Sequence, residues 1–536
     1  MKHKLLFTSA FAALLTIPQL VLAQAPVLGS TTDYVLFSSA GAVGNTAISH
    51  VTGNIGTNAG AISSFGNVDG VLNAANGSTA MALTDLSSLY TQLNGTTTTA
   101  THAAVLGGGE ILTTGVYAIA SAGTVAGKLI LNAAGDQNAQ FIFKIGGAFA
   151  TAALTEIELM NGTQACNVFW IAEGAINIGA GTKMKGTLIA NNADIALAAG
   201  GQLEGRMFST AGAVAIDGAT VTLPLGCGKA ILTGPVAPTL GKTECYAIFS
   251  SSGAVTNTTL SNVTGDIGTN VGATTGYTAI NVTGTIHASP DASTATCATD
   301  LISVYNHLKA LPADIELLYP AQMGNKLVLT PHTYVLKAAT AITDTLYLNA
   351  QNNPNGVFVF LMTGALTTGV NAKVILMNGA QAKNVYWLVK GSVSLNTDVH
   401  FKGTVVCDSG AVDMAIGVLL NGRALTTLGD FTTSGITAVV PTTCVLTGTK
   451  NMNKSENAQV SIYPNPFTQS VTFDLSNVAT TDAQISIYNV VGTLVLKTSL
   501  TKQVNTVDAS QLPAGVYVYT IYSANNTIQT GRLIAQ

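Results

Sequence analysis

The chain has 536 residues, of which 47% are hydrophobic and only 9% charged, with 55 glycines and a formal net charge of −4. Ordinary soluble domains carry about 25% charged residues, so this surface is covered by hydroxyls, methyls and amides instead of ions. The slightly negative balance argues against nucleic acid and anionic membranes as partners, because both need a basic patch.

The opening "MKHKLLFTSAFAALLTIPQLVLAQ" has a basic start, an apolar run and small residues at Ala23, which predicts a secretory signal peptide over 1–23. No later apolar stretch is long enough to span a bilayer. The chain therefore reads as exported, with no membrane span.

A long duplication follows. "FSSAGAVGNTAISHVTGNIGTNAG" (37–60) returns as "FSSSGAVTNTTLSNVTGDIGTNVG" (249–272), and "MNGTQACNVFW" (160–170) returns as "MNGAQAKNVYW" (377–387). The repeated phrases keep Gly, Thr and Asn but no acid, base or metal ligand. Within each copy, short alternating strands such as "AINIGAGTKMKGTLIA" are broken by Gly and Asn. Glycines recur 19 residues apart, from 186 to 205 and from 403 to 422. Strands at that spacing, with a Gly-rich corner each time, predict the coils of a β-solenoid.

One segment per copy departs from this texture. Ala82, Leu86, Leu89, Tyr90 and Leu93 form one helical stripe, as do Cys297, Leu301, Val304, Tyr305 and Leu308. Each copy is thus expected to lay one amphipathic helix along the solenoid. Among the cysteines of this exported chain, Cys227 and Cys444 fall at matching places near the ends of the copies, which predicts a structural disulfide near each end. Cys297 lies on the helix stripe and reads as core. After the polar stretch 447–459, alternating strands with intervening turns predict a small β-sandwich.

The combination of 37–60, the helix at 79–95, "MNG…NVFW" and the coils after it resembles the ice-binding protein family of bacteria, algae and fungi. The resemblance covers about 30–225 and again about 245–440. It implies a discontinuous right-handed β-helix of triangular section with one long α-helix alongside. The tail, with "YPNPF" (Tyr463, Pro464, Asn465, Pro466, Phe467), "IYNVVG" and "LPAGVYVY", resembles the C-terminal sorting domain of type IX secretion substrates of Bacteroidetes. That resemblance implies recognition by the type IX translocon and a secreted or cell-surface destination.

The expected fold is mainly β: two right-handed β-solenoid domains at 24–228 and 245–446, joined by a linker at 229–244, then a linker at 447–459 and a sorting β-sandwich at 460–536. The family resemblance implies that one β-helix face carries Thr-Ala/Gly-x-Thr/Asn elements that meet ice. Laid on this sequence, the pattern selects Thr46, Ser49, Thr151, Thr182 and Thr220 in the first copy. In the second it selects Thr258, Ser261, Thr368, Asn371, Thr397 and Thr437. "TGVN" at 368–371 fits fully, while Lys183, Gln202, His400 and Leu419 depart from the pattern. Thr is also favoured on strands whatever the function.

Catalysis finds little to stand on in these residues. Glu156 and Glu158 share one strand face, but the second copy has Lys373 and Ile375 there, and a solvated face accounts for both. The histidines follow no metal-ligand spacing, and there is no phosphate loop or nucleophile elbow. The expectation is a monomeric, non-enzymatic ice binder needing no cofactor or metal. Its alternative is a surface adhesin that binds a glycan or another cell, for which a groove with aromatics and carboxylates is expected.

Overall fold

The computed structural model describes residues 26–227, 231–441, 460–476, 482–489, 493–523 and 526–536. The expected signal peptide, the linker at 447–459 and Cys444 lie outside them. The chain divides into two compact units, Met1–Cys444 and Val445–Gln536, and the first holds both long repeats.

Each repeat is a β-helix built from one 14-stranded and one 8-stranded sheet, with every pairing parallel. One coil shows the plan. Phe141–Ile145 lies on a first face, Phe149–Thr151 on a second and Glu156–Met160 on a third. The chain then returns beneath itself, pairing Phe141 with Val168, Phe149 with Ile176 and Glu156 with Lys183. The second face is the 8-stranded sheet. The first and third faces merge into one sheet because long strands such as Lys183–Ala190 turn the corner without ending.

That corner explains the glycine period. Gly186 and Gly403 have φ of 104° and 107°, a region L side chains avoid. In the next coil a Cβ on Gly205 would lie 1.8 Å from the Gly186 carbonyl oxygen. The repeated phrase builds a different corner, between first and second faces. Ser38 and Ser209 each donate inward to a carbonyl of the next coil (Ser38 Oγ to Gly212 O and Ser209 Oγ to Ala193 O, both 2.7 Å). Ser250, Thr269 and Thr426 do the same in the second repeat.

Coil order is not chain order. The N-terminal strands Tyr34–Ser38, Val43–Thr46 and His50–Thr52 stack on the repeat's last coil, with Leu36 beside Met207, Val43 beside Val214 and His50 beside Thr220. The second repeat closes in the same way. Each β-helix is therefore discontinuous, its first coil seated on its last.

The expected helices are present as α1 (Gly77–Gly95) and α2 (Ala292–Ala310). Asn76 and Asp291 cap them, each accepting from the backbone N–H three residues on while Thr79 or Thr294 bonds back. Ala82, Leu86, Leu89 and Leu93 are buried against the outer side of the first face, including Phe37, Ile142, Phe169 and Phe208. Cys297, Leu301, Val304 and Leu308 do the same for α2. Inside each solenoid aromatic rings stack from coil to coil: Tyr117, Phe143 and Trp170 in the first, Tyr334, Phe360 and Trp387 in the second.

Cys166 and Cys227 form a disulfide that ties the turn before Val168 to the chain leaving the first repeat. Cys245 is disulfide-bonded as well. Cys297 and Cys407 are free and buried.

The second unit packs a three-stranded sheet (Ser461–Tyr463, Ser470–Asp474, Val504–Asp508) against a four-stranded one (Ala483–Tyr488, Leu494–Leu500, Gly515–Ser523, Asn526–Ala535). Their core includes Phe467, Phe473, Ile485 and Tyr519, giving a small antiparallel β-sandwich. The "YPNPF" motif joins its ends. Phe467 is buried, Tyr463 is exposed, and Asn465 bonds the last strand twice, to Arg532 O (2.9 Å) and from Ile534 N (2.8 Å).

Candidate functional site

The residues selected from the sequence all fall at one corner, where the second face turns into the third. The structure divides them by direction. Thr151, Thr182, Ser261 and Thr368 are buried, at 7%, 0%, 3% and 6% exposure, which corrects the expectation that they line a surface. Their hydroxyls satisfy turn amides and one another. Thr151 and Thr182 lie 3.1 Å apart, and Thr151 accepts from Gly179 N at 2.9 Å. Thr368 accepts from Asn396 N at 2.8 Å, and Ser261 bonds Asn257 and Ile436 N.

Ser49 plays the same part, half-buried between Asn45 and Ala219 N. A buried amide needs a partner, and these side chains supply it. Thr46, Thr220, Thr258 and Asn371 are exposed, and Thr397 and Thr437 partly so. Asn371 sits at φ 59°, where Asn is tolerated better than most residues.

A regular surface lies just upstream, on the 8-stranded sheets. Their strands are mostly three or four residues long, and in the typical three-residue strand the outer two side chains enter the core while the middle one faces out. In the second domain those middle residues are, in spatial order, Thr275, Thr256, Thr432, Asp413, Ser394, Thr367 and Ala341, each in register with the next. Rungs in such a ladder repeat every ~4.8 Å. Val255, Phe431, Val412, Val393 and Leu366 anchor the strands beneath. Beside the ladder, Val370, Ile416 and Leu260 are exposed at 56%, 57% and 67%. The ladder is a regular strip of hydroxyls and methyls interrupted by Asp413, and Asp344 and Asp398 are exposed at the corner beside it.

The equivalent strip of the first domain reads Ser63, Gly44, Ala215, Ala196, Asn177, Ala150, Thr124 and Val105. It has the same spacing, with Ala on three of its rungs. Charge is concentrated on the third face of this domain. There Lys128 pairs with Glu158 (2.7 Å), Lys183 with Glu156 (3.3 Å) and Lys185 with Glu204 (2.7 Å). Glu156 and Glu158 are thus ion-paired on a solvated strand. Among the described residues no cluster of His, Cys, Asp and Glu has a metal-binding arrangement, and no helix is long and apolar enough to cross a membrane. Both tryptophans are buried, so neither lines a groove.

Sequence patterning missed the ladder because it follows the corner, where Thr recurs, and not the centre of the strands. The signal was present as the middle residue of "VTN", "FTT", "VDM", "VSL" and "LTT".

Known proteins place this architecture. Residues 37–222 and 248–439 match the ice-binding-like family, and 461–536 match the secretion system C-terminal sorting domain. The crystal structure of an ice-binding protein from an Antarctic Flavobacteriaceae bacterium is 52% identical, covering 79% of this chain and 100% of that one with a TM-score of 0.78. An ice-binding protein of Nostoc sp. is 29% identical over 194 residues, 36% of this chain and 70% of its own length. Ice-binding protein 1 of Shewanella frigidimarina is 38% identical over 129 residues, 23% of this chain but only 14% of that protein. The terminal domain is a type IX sorting domain and marks the protein for export, to the medium or the cell surface. With matched segments over both solenoids, the chain belongs to the ice-binding-like family, in a tandem form with a secretion tail.

Proposed function

We propose that the protein adsorbs to ice through the outward ladder of the second domain's 8-stranded sheet and restrains ice growth and recrystallisation. The observation that carries this reading is the registered series Thr275, Thr256, Thr432, Ser394 and Thr367 on one parallel sheet. Each Thr offers a methyl, which restricts neighbouring water, and a hydroxyl, which anchors it. Repetition at the strand spacing gives that water a periodic template. Charges would organise hydration shells of their own, and the ladder itself carries only Asp413, with Asp344 and Asp398 kept to the corner beside it. The names of the relatives point the same way.

The exposed corner residues Thr258 and Asn371, with the partly exposed Thr397 and Thr437, extend the strip along one edge. In the first domain Thr46 and Thr220 border a face of methyls with fewer hydroxyls, which makes it the weaker partner. The protein acts as a monomer without catalysis or cofactor, with functional domains at 24–228 and 245–446 and export directed by 460–536.

The test is ice recrystallisation inhibition by the intact mature chain, comparing Thr432→Tyr with Thr264→Tyr on the third face. A bulky ring in the ladder should raise the half-inhibitory concentration several-fold, while the third-face control should leave it unchanged. Equal effects would remove the assignment of the face.

A further inference from the structure

The two solenoids meet end to end. At the junction the third-face strand His50–Thr52 of the first domain abuts the third-face strand Val328–Leu329 of the second. On one side of this contact, Ala47 and Ile48 share a cleft with Asn325, which occupies the equivalent corner of the second domain. On the other, Thr52 and Gly53 share a cleft with Thr330 and His332, again at equivalent corners. Like corner meets like corner on both sides of a like face. The solenoids are therefore stacked head to tail with their 8-stranded sheets on the same side.

The junction is closed by buried polar groups. Asp69, at 3% exposure, accepts hydrogen bonds from Thr330 Oγ1 (2.7 Å) and from the Tyr334 hydroxyl. Tyr334 is fully buried and stacks on Phe360, so the bond reaches the aromatic core of the second domain. Asn67 adds a reciprocal pair, donating to Tyr319 O (2.8 Å) and accepting from Tyr319 N (2.9 Å). The connector is held as well: Val357 N donates to Thr233 O and Asn353 Nδ2 to Leu232 O, both at 2.9 Å.

The duplication supplies an internal comparison. Gly53 N bonds Asp69 O just as Gly265 N bonds Thr283 O, so Thr283 holds the equivalent place at the far end of the second domain. The acid stands at the end that meets another solenoid.

We propose that Asp69, with Asn67, is a positioning residue that holds the two 8-stranded faces on one side of a single rigid body, so that both engage the same ice surface. This rests on the ice-binding reading above. A second face already aligned with the crystal binds at high effective concentration, whereas a loosely tethered one does not.

The test uses the intact mature chain and Asp69→Ala, with Thr330→Ser, which keeps the hydroxyl, as the conservative variant. Tyr334 retains Thr330 O as an acceptor at 2.6 Å, so the second domain keeps its core. Small-angle X-ray scattering should show a widened interdomain envelope for Asp69→Ala and not for Thr330→Ser, with unfolding transitions of both domains preserved. Half-inhibition of recrystallisation should then require about tenfold more protein.

Ala196→Tyr, on the first domain's face, should weaken the parent and add nothing in the Asp69→Ala background. An unchanged envelope, or the same Ala196→Tyr effect in both backgrounds, would overturn the proposal. A parent chain inactive on ice would overturn the ice reading instead, and scattering alone would then decide whether Asp69 locks the domains.

Discussion

Thr256 and Thr432 stand side by side on parallel strands of the second domain, although one belongs to its first coil and the other to its last. Their adjacency comes from the N-terminal coil seating on the C-terminal one, and it continues the hydroxyl ladder across the closure. The rung beyond Thr432 is Asp413, the ladder's one carboxylate. Asp413→Thr should complete the series and lower the half-inhibitory concentration for recrystallisation, by about two- to threefold if the carboxylate opposes ordered water by a few tenths of a kcal/mol. Activity that falls on this substitution would mean the carboxylate is used.

His287 lies between Asp291, the cap of α2, at 2.7 Å and Asp266 at 3.5 Å, with its side chain only 11% exposed. Burial pulls its pKa down, but hydrogen bonds and charge from Asp266 and Asp291 outweigh this and hold it above the ordinary 6.5. Burial raises Asp266 and Asp291, yet bonds to His287 and to the Thr285 and Thr294 amides leave both below the usual carboxylate value.

The stability from His287 is thus complete below about pH 6.5 and is lost as pH rises through its raised folded pKa. The aspartates' share is present above about pH 4 and is lost as pH falls through their depressed values. Thermal unfolding from pH 5.5 to 8.5 should show the second domain weakening as pH rises. His287→Asn should remove that slope from the second domain.

The Cys166–Cys227 disulfide closes a sequence separation of 61 residues. Its double replacement by Ser should cost the first domain about 2–4 kcal/mol, read as a lower first unfolding transition in calorimetry. The second domain carries Lys383 where the first carries Cys166, so its transition should stay in place.

A methyl group added at Gly41 would lie 2.2 Å from Gly212 O, and at Gly253 2.1 Å from Gly429 O. Backbone on both sides leaves no flexible side chain to yield. Gly41→Ala and Gly253→Ala should each destabilise their own domain by at least about 2 kcal/mol, measured by denaturant unfolding. Gly77→Ala, with open space around its Cβ, should cause no loss.

Much of this architecture could be read before any coordinates. Duplication, the helix stripes at Ala82–Leu93 and Cys297–Leu308, the glycine period and the small terminal sandwich are local or periodic signals, and each depends on packing that neighbouring residues decide. The candidate site was harder to read. Thr151 and Thr182 carry the same residue type as Thr256 and Thr432, yet the first pair turns inward to cap amides and the second faces out. Only the strand pairing tells them apart. The junction left no periodic trace at all, since it depends on one Asp in one copy where the other has Thr283.

The most direct measurement is adsorption of the fluorescently labelled mature chain to a growing single crystal of ice. Ice binding through the ladder requires that the parent be incorporated into the crystal, while Thr256→Tyr/Thr432→Tyr, folded to the same extent by circular dichroism, is left in the liquid. Incorporation of the double variant as complete as the parent's, or exclusion of the parent, would contradict it.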